Sequence, residues 1–160
     1  MNKKDQIIAG VRDLYNKMVF LNKFKMEDSF KGYKSSEIHC IEYIGENADS
    51  NVTKLAESFY MTRGAISKIA RKLIEKGDIE SYQKPENRKE IYFRLTGKGE
   101  AIYKVHEGLH REFQERDKAV FDEITEEQLD VMLGFVERYR SHLDAEIKKQ
   151  GAEMPDRNYF

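Results

Sequence analysis

The sequence predicts a mainly α fold with one two-stranded β element. Two observations carry it. Apolar residues recur at three- and four-residue spacing through most of the chain, and proline occurs only at positions 85 and 155, leaving long helices uninterrupted. The two strand-like runs, 79–83 and 91–95, flank a charged stretch from Lys84 to Glu90 that reads as a hairpin tip. At 160 residues, one domain over 1–150 is expected, with a loose tail at 151–160.

A first helix is predicted over 5–25, where Ile7, Ile8, Val11, Leu14, Tyr15, Met18, Val19 and Leu21 form a broad apolar stripe. Residues 26–34 read as a loop broken at Gly32. A second helix starts at Ser35 or Ser36, either of which suits a cap, and runs to Gly45. Thr53 is the expected cap of a short third helix and Thr62 of a fourth. The fourth buries Ile66, Ile69, Ala70, Leu73 and Ile74 and ends at Gly77, where a left-handed glycine stops a helix. After the strands, Thr96 caps a fifth helix reaching to about Val120, with Ala101, Ile102, Val105, Leu109 and Phe113 inward. Thr125 and Gln128 form a capping box at the start of the sixth, stapled by Ile124 and Leu129.

Two short helices meeting at the polar corner Tyr60-Met61-Thr62, followed by a hairpin, make the order of a helix-turn-helix and a wing. Residues 35–96 form this winged unit. Net charge is −1, which argues against bulk polyanion binding but not against a local basic patch, and the charge is uneven. From 60 to 98 the bases Arg63, Lys68, Arg71, Lys72, Lys76, Lys84, Arg88, Lys89, Arg94 and Lys98 outnumber the acids Glu75, Asp78, Glu80, Glu86 and Glu90. The bases of the fourth helix lie opposite its apolar stripe. That pattern suits double-stranded DNA. Thr62 and the helix N-terminus offer N–H groups to a phosphate, and Gly64 permits close approach of the DNA backbone. Arg63, Ser67, Lys68, Arg71 and Lys72 face the major groove. Arg88, with Lys89 beside it, is placed to enter the minor groove.

The terminal helices, about 5–25 and 97–148, are too apolar to stand alone. They pack on each other within one subunit or interdigitate with a second copy. The second reading is preferred, because two-fold symmetry sets paired recognition helices ~34–36 Å apart on a pseudo-palindromic operator. The single cysteine, Cys40, rules out an intramolecular disulfide and fits a reducing cytoplasm. No apolar run approaches the ~20 residues of a membrane span. Nucleophile elbow, phosphate loop and dinucleotide fingerprint are all missing, so an enzyme is not expected. A winged module that binds protein is the different-class alternative; it has no need of an outward basic face.

The segment from Leu55 to Ile102, with Leu73 to Gly77 spaced as L-x-x-x-G and Leu95 to Gly99 as L-T-x-x-G, resembles the MarR family of bacterial regulators. The resemblance implies six helices, a homodimer formed by the first and last of them, and a repressor released by a ligand or oxidant. Asn87 departs from the aspartate that often precedes the wing arginine.

For the signal, His106 and His110 share a helix face at a spacing that suits zinc. The zinc-responsive AdcR-like branch of the family places such a pair in the fifth helix and a histidine in the second, which His39 matches. That branch also uses a carboxylate near the end of the first helix, where Glu27 and Asp28 stand here in a loop of different length, so the likeness leaves the fourth ligand open; Ile38 and Val105 occupy the branch's second-site positions. Two other signals stay open. A small aromatic or lipophilic ligand fits among Tyr15, Phe20, Phe24, Phe30, Tyr33 and Tyr43. An oxidant acting at Cys40 needs an accessible thiol of lowered pKa, and the apolar run around Cys40 argues for an inert one instead.

Overall fold

A computed structural model describes residues 1–151. The N-terminal amphipathic pattern becomes α1, Lys3–Ser29, which is longer than the predicted 5–25. Its extra turn is held from outside. Phe30 donates its backbone N–H to the Met26 carbonyl at 3.1 Å, and the Phe30 ring is buried with Ile38, Leu109 and Phe113, with Met26 packed against them. Gly32, at φ +87°, then turns the chain into α2, Ser35–Glu46. Neither Ser35 nor Ser36 caps α2. The Glu37 carboxylate reaches back to the Lys34 N–H at 3.2 Å instead.

Helix α3, Val52–Phe59, is capped by Asn51, whose side chain accepts from the Lys54 N–H at 2.8 Å; Thr53 lies inside the first turn. The start is fixed upstream, because the Ser50 carbonyl accepts from the Phe93 N–H at 2.8 Å and keeps the backbone extended there. Tyr60 adopts the left-handed conformation at φ 53° and makes the corner into α4, Arg63–Lys76. Thr62 caps α4 as predicted, accepting from the Ala65 N–H at 3.1 Å. Gly77, at φ +80°, ends it in a Schellman arrangement, with Gly77 N–H donating to Ile74 and Asp78 N–H to Leu73.

Strands β1, Ile79–Lys84, and β2, Asn87–Leu95, pair antiparallel from Ile79 opposite Leu95 to Tyr82 opposite Tyr92. The register then shifts so that Lys84 faces Asn87. The predicted tip from Lys84 to Glu90 is thereby corrected. The turn is Pro85-Glu86 alone, and Arg88 and Lys89 lie within β2. Pro85 has no N–H to offer the ladder, so the chain turns there rather than after it. Helix α5, Gly97–Asp117, is capped by Thr96 at 3.2 Å from the Gly99 N–H and stops short of Val120, giving way to a 3₁₀ turn at Lys118–Phe121. Helix α6, Glu126–Gly151, begins with the Thr125–Gln128 box, its two bonds 3.0 and 3.2 Å long. Of the predicted tail, Gly151 is the last residue of α6 and the rest lies outside the described residues.

The core sits where α2, α3, α4 and the sheet meet, around Ile41, Leu55, Ile66, Leu73, Ile79 and Phe93. Two predicted stripes shift. Ile74 is exposed, because Ile66, Ala70 and Leu73 already fill the contact. On α5 the inward row is Ile102, His106, Leu109 and Phe113, with Val105 and Ala101 turned outward. No residue of α1 or α6 is buried; Leu14, Phe20, Phe24, Val131, Leu133 and Val136 all face outward. Among the described residues no helix is long and apolar enough to cross a membrane.

The end of α4, the start of β1 and the start of α5 are tied into one joint. Thr96 N–H donates to the Asp78 carbonyl at 3.0 Å, Thr96 Oγ1 to the Gly77 carbonyl at 2.6 Å, and Lys98 Nζ to the Lys76 carbonyl at 2.7 Å. Gly99 is packed so tightly that a Cβ there would lie 1.9 Å from the Asp78 carbonyl oxygen. Backbone is the obstacle, so it cannot swing aside. Gly99→Ala is expected to destabilise the protein by about 1–3 kcal/mol, the usual range for overpacking. Urea unfolding checks it, and wild-type stability would show that the joint is loose.

Candidate nucleic-acid interface and histidine cluster

Helix α4 presents its buried stripe to the core and its opposite face to solvent, as its residue spacing demands. Arg63, Gly64, Lys68, Arg71 and Lys72 are exposed, with Thr62 and Ser67 partly covered. On the wing Arg88 and Lys89 are both exposed. The fold sorts the basic residues of this region into two groups. Lys76 pairs with buried Glu37 at 2.6 Å, Lys84 with Asp49 at 2.6 Å, Arg94 with Glu80 at 2.6 Å, and Lys98 lies 3.7 Å from buried Asp78. Between residues 60 and 98 the bases without an ion pair to a described residue are Arg63, Lys68, Arg71, Lys72, Arg88 and Lys89. These are the basic side chains the sequence pattern assigns to DNA. The paired set is spent on internal contacts and adds no free positive charge.

The paired bases also build the wing. Lys84 Nζ lies 4.9 Å over the Tyr92 ring and the Arg94 guanidinium 4.9 Å over Tyr82, while Tyr82 and Tyr92 pair at 5.5 Å across the strands. Each cation covers an aromatic face that solvent would otherwise reach.

The histidines come together only in part. His106 and His110 lie with their Nε2 atoms 3.2 Å apart, and His106 Nδ1 is 3.7 Å from the Glu42 carboxylate. One donor atom from each of Glu42, His106 and His110 lies within 4.8 Å of the others. His39, one turn before Glu42 on α2, does not join this group; its ring stacks on Phe59 at 6.5 Å. Glu27 and Asp28 do not join it either. They pair with Lys23 and Lys31 on the exposed end of α1. Glu42 carried one legible signal, its three-residue spacing from His39 on a helix packed against α5. It is missed when helix packing is read from histidines alone.

The model of the MarR family matches residues 34–91. The HTH-type transcriptional regulator PchR of Bacillus subtilis (strain 168) is 30% identical over 150 residues, 85% of this chain and 89% of that protein. The chain belongs to the MarR family. It is a DNA-binding transcriptional regulator with a winged helix-turn-helix, and MarR members are regulators rather than enzymes. Among solved structures, Streptococcus pneumoniae FabT in complex with DNA superposes with a TM-score of 0.77 at 23% identity, covering 89% of this chain and 99% of that one. The adhesin competence repressor AdcR of Streptococcus pyogenes gives 0.65 at 17% identity, covering 84% and 96%. Both share the MarR fold.

Within this MarR chain the cluster is a pair of imidazoles, one of them buried, beside a carboxylate. Burial pushes His106 down to about 4, with the neighbouring His110 and His39 adding to the shift, and burial likewise lowers His39. Cys40 is 3% exposed, and burial and then Glu37 push its thiol up to about 12. A thiol so placed is protonated at neutral pH and out of reach of an oxidant.

The His106 shift has a definite sign. The folded chain keeps the ring neutral down to about pH 4, whereas the unfolded chain takes up its proton near ~6.5. Stability contributed by this group is therefore constant above ~6.5 and falls as pH drops toward 4, by at most ~3 kcal/mol. Urea unfolding at a series of pH values with EDTA present measures it. His106→Gln should flatten the decline; an equally steep decline in the variant would assign it to other groups.

Proposed function

We propose that this regulator acts as a homodimer on a pseudo-palindromic operator and represses transcription. The observation that carries the reading is the sorting of charge. Between residues 60 and 98 the bases left without an ion pair lie on the outward face of α4 and on the wing, while Lys76, Lys84, Arg94 and Lys98 each face an acid of the same unit. On this reading Arg63, Ser67, Lys68, Arg71 and Lys72 enter the major groove, Thr62 and Gly64 meet the phosphates at the N-terminus of α4, and Arg88 with Lys89 reaches the minor groove. A second copy covers the apolar faces of α1 and α6, which no side chain of their own subunit buries. FabT, a structural neighbour, is seen bound to DNA, and AdcR, another, is described as a repressor; both support the same use here.

Binding measured across a range of salt tests the charge assignment. Arg88→Ala should weaken binding and lower the salt slope by about 0.9, the release of one counterion. Arg94→Ala, which removes a base already paired with Glu80, should leave the slope unchanged. Equal slopes for wild type and Arg88→Ala would overturn the minor-groove role. Sedimentation of the purified chain tests the dimer.

A second reading concerns the signal and rests on the group Glu42, His106 and His110. Two imidazoles and a carboxylate are a fitting donor set for zinc, which takes nitrogen and oxygen ligands tetrahedrally. The low pKa of His106 means that no proton need leave that ring. Glu42 belongs to α2 and both histidines to α5, so zinc held by them ties the DNA reader to the arm that carries the second copy. His39, a turn from Glu42 and stacked on Phe59, is a candidate for the remaining coordination position. Zinc bound there is expected to raise operator affinity by fixing the spacing of the two recognition helices. His110→Ala should abolish both zinc binding in calorimetry and the zinc-dependent gain. Identical DNA affinity in zinc and in chelator would refute the coupling, and a small lipophilic effector would take its place.

A further inference from the structure

The wing meets the rest of the reader at one carboxylate. Asp49 lies in the connection between α2 and α3, in the left-handed conformation at φ 56°. Its Oδ1 accepts from the Tyr82 hydroxyl at 2.6 Å and its Oδ2 from Lys84 Nζ at 2.6 Å, so both oxygens are used by β1. Its own backbone is held as well: the Asp49 carbonyl accepts from Lys54 Nζ at 3.0 Å. The next residue, Ser50, is fully buried, donates its hydroxyl to the Asn47 carbonyl at 2.7 Å, and bridges to Phe93 of β2. The connection thus forms a third, one-residue edge to the sheet, and Asp49 pins the opposite strand.

We infer that Asp49 is the positioning residue of the wing: by holding Tyr82 and Lys84 it sets the direction in which Arg88 is presented to DNA. The wing needs such an anchor. Among the described residues no acid holds the Arg88 side chain, whose neighbour Asn87 is uncharged, and the turn itself is only Pro85-Glu86. The register shift between Tyr82 and Lys84 also breaks the ladder on the tip side. The tip therefore follows whatever orients Tyr82 and Lys84. The carboxylate is well suited to this. Lys84 and then Tyr82 hold Asp49 below the usual carboxylate range, and Asp49 in turn raises both partners, so the contact stays charged across physiological pH. Lys84 is consequently an anchor rather than a phosphate contact. Charge-assisted bonds of this length orient more firmly than a neutral one.

The inference rests on the proposed minor-groove role of Arg88, and the experiment separates the two. Asp49→Asn and Asp49→Gly both tolerate the left-handed backbone, so folding is preserved. Operator affinity is measured for wild type, each Asp49 variant, Arg88→Ala, and Asp49→Gly combined with Arg88→Ala. Hydrogen exchange of the wing amides is followed without DNA. The expected result is a loss of about five- to tenfold for Asp49→Gly with no fall in the salt slope, since Lys84 is released rather than removed. The double variant should bind no worse than Arg88→Ala alone, and the wing amides should exchange faster. Wild-type affinity in the Asp49 variants overturns the inference. So does a loss that is as large without Arg88 as with it, since a merely structural defect behaves that way. If Arg88→Ala itself binds normally, the minor-groove reading fails, and exchange alone decides: faster wing exchange in the variants keeps Asp49 as the anchor, and unchanged exchange overturns it.

Discussion

Everything in this fold hangs on the joint at Gly77-Asp78, where the recognition helix ends and the arm begins. The Asp78 carbonyl accepts from Thr96, and Gly99 rests against the same carbonyl with no room for a Cβ. The Asp78 side chain is buried, bonded to the Tyr33 hydroxyl at 3.0 Å, with its second oxygen lacking a partner. Desolvating that oxygen costs stability; Lys98 Nζ lies 3.7 Å from the other oxygen, the one that accepts from Tyr33. Directly beneath, Lys76 closes on buried Glu37 at 2.6 Å, on the Gly32 carbonyl at 2.8 Å, and over the Tyr33 ring at 4.2 Å. The C-terminus of α4 thus grips α2 and the loop before it. Breaking one partner of such a buried pair costs far more than the pair contributes, because a lone charge remains. The direction of α4 relative to α5 is set here.

The same chemistry explains how a chain of net charge −1 presents a basic face. Acids are not scattered among the bases at random. Glu37, Asp49, Asp78 and Glu80 are each committed to one base inside the reader, and those bases support the fold rather than the surface. What remains on the outside of α4 is four bases, Arg63, Lys68, Arg71 and Lys72, against one acid, Glu75. Local charge therefore follows from pairing geometry, which a residue count along the chain does not capture.

Where the chain's own physics is local, the sequence was legible. Thr62, Gly77, Thr96 and the Thr125–Gln128 box cap their helices as their types and spacing require. The misreadings arise where a distant contact decides. Asn51 rather than Thr53 starts α3 because β2 holds Ser50 extended, and α1 continues to Ser29 because α5 receives Phe30. His106 rather than Val105 faces inward, a choice between adjacent residues that depends on the exact rotation of α5. The candidate metal group shows the same division. The pair His106 and His110 follows from spacing on one helix, whereas Glu42 depends on how α2 lies against α5. The wing hairpin was recognised, but its turn was drawn too long, since the charged run past Pro85 continues as strand.

The absence of any buried side chain in α1 or α6 bears on how the protein comes to exist at all. The centre has its own core and closes on local contacts between neighbouring helices, which form quickly. Long helices without burial gain little from propensity alone. The expected order is that the reader folds first and that the arms gain their stability last, from the second copy proposed to cover them. A nascent chain then spends its early life as a folded reader carrying two unsatisfied apolar helices. If a second copy covers those helices, as proposed, its vulnerability to aggregation and to proteases is set by protein concentration and not by the strength of its core.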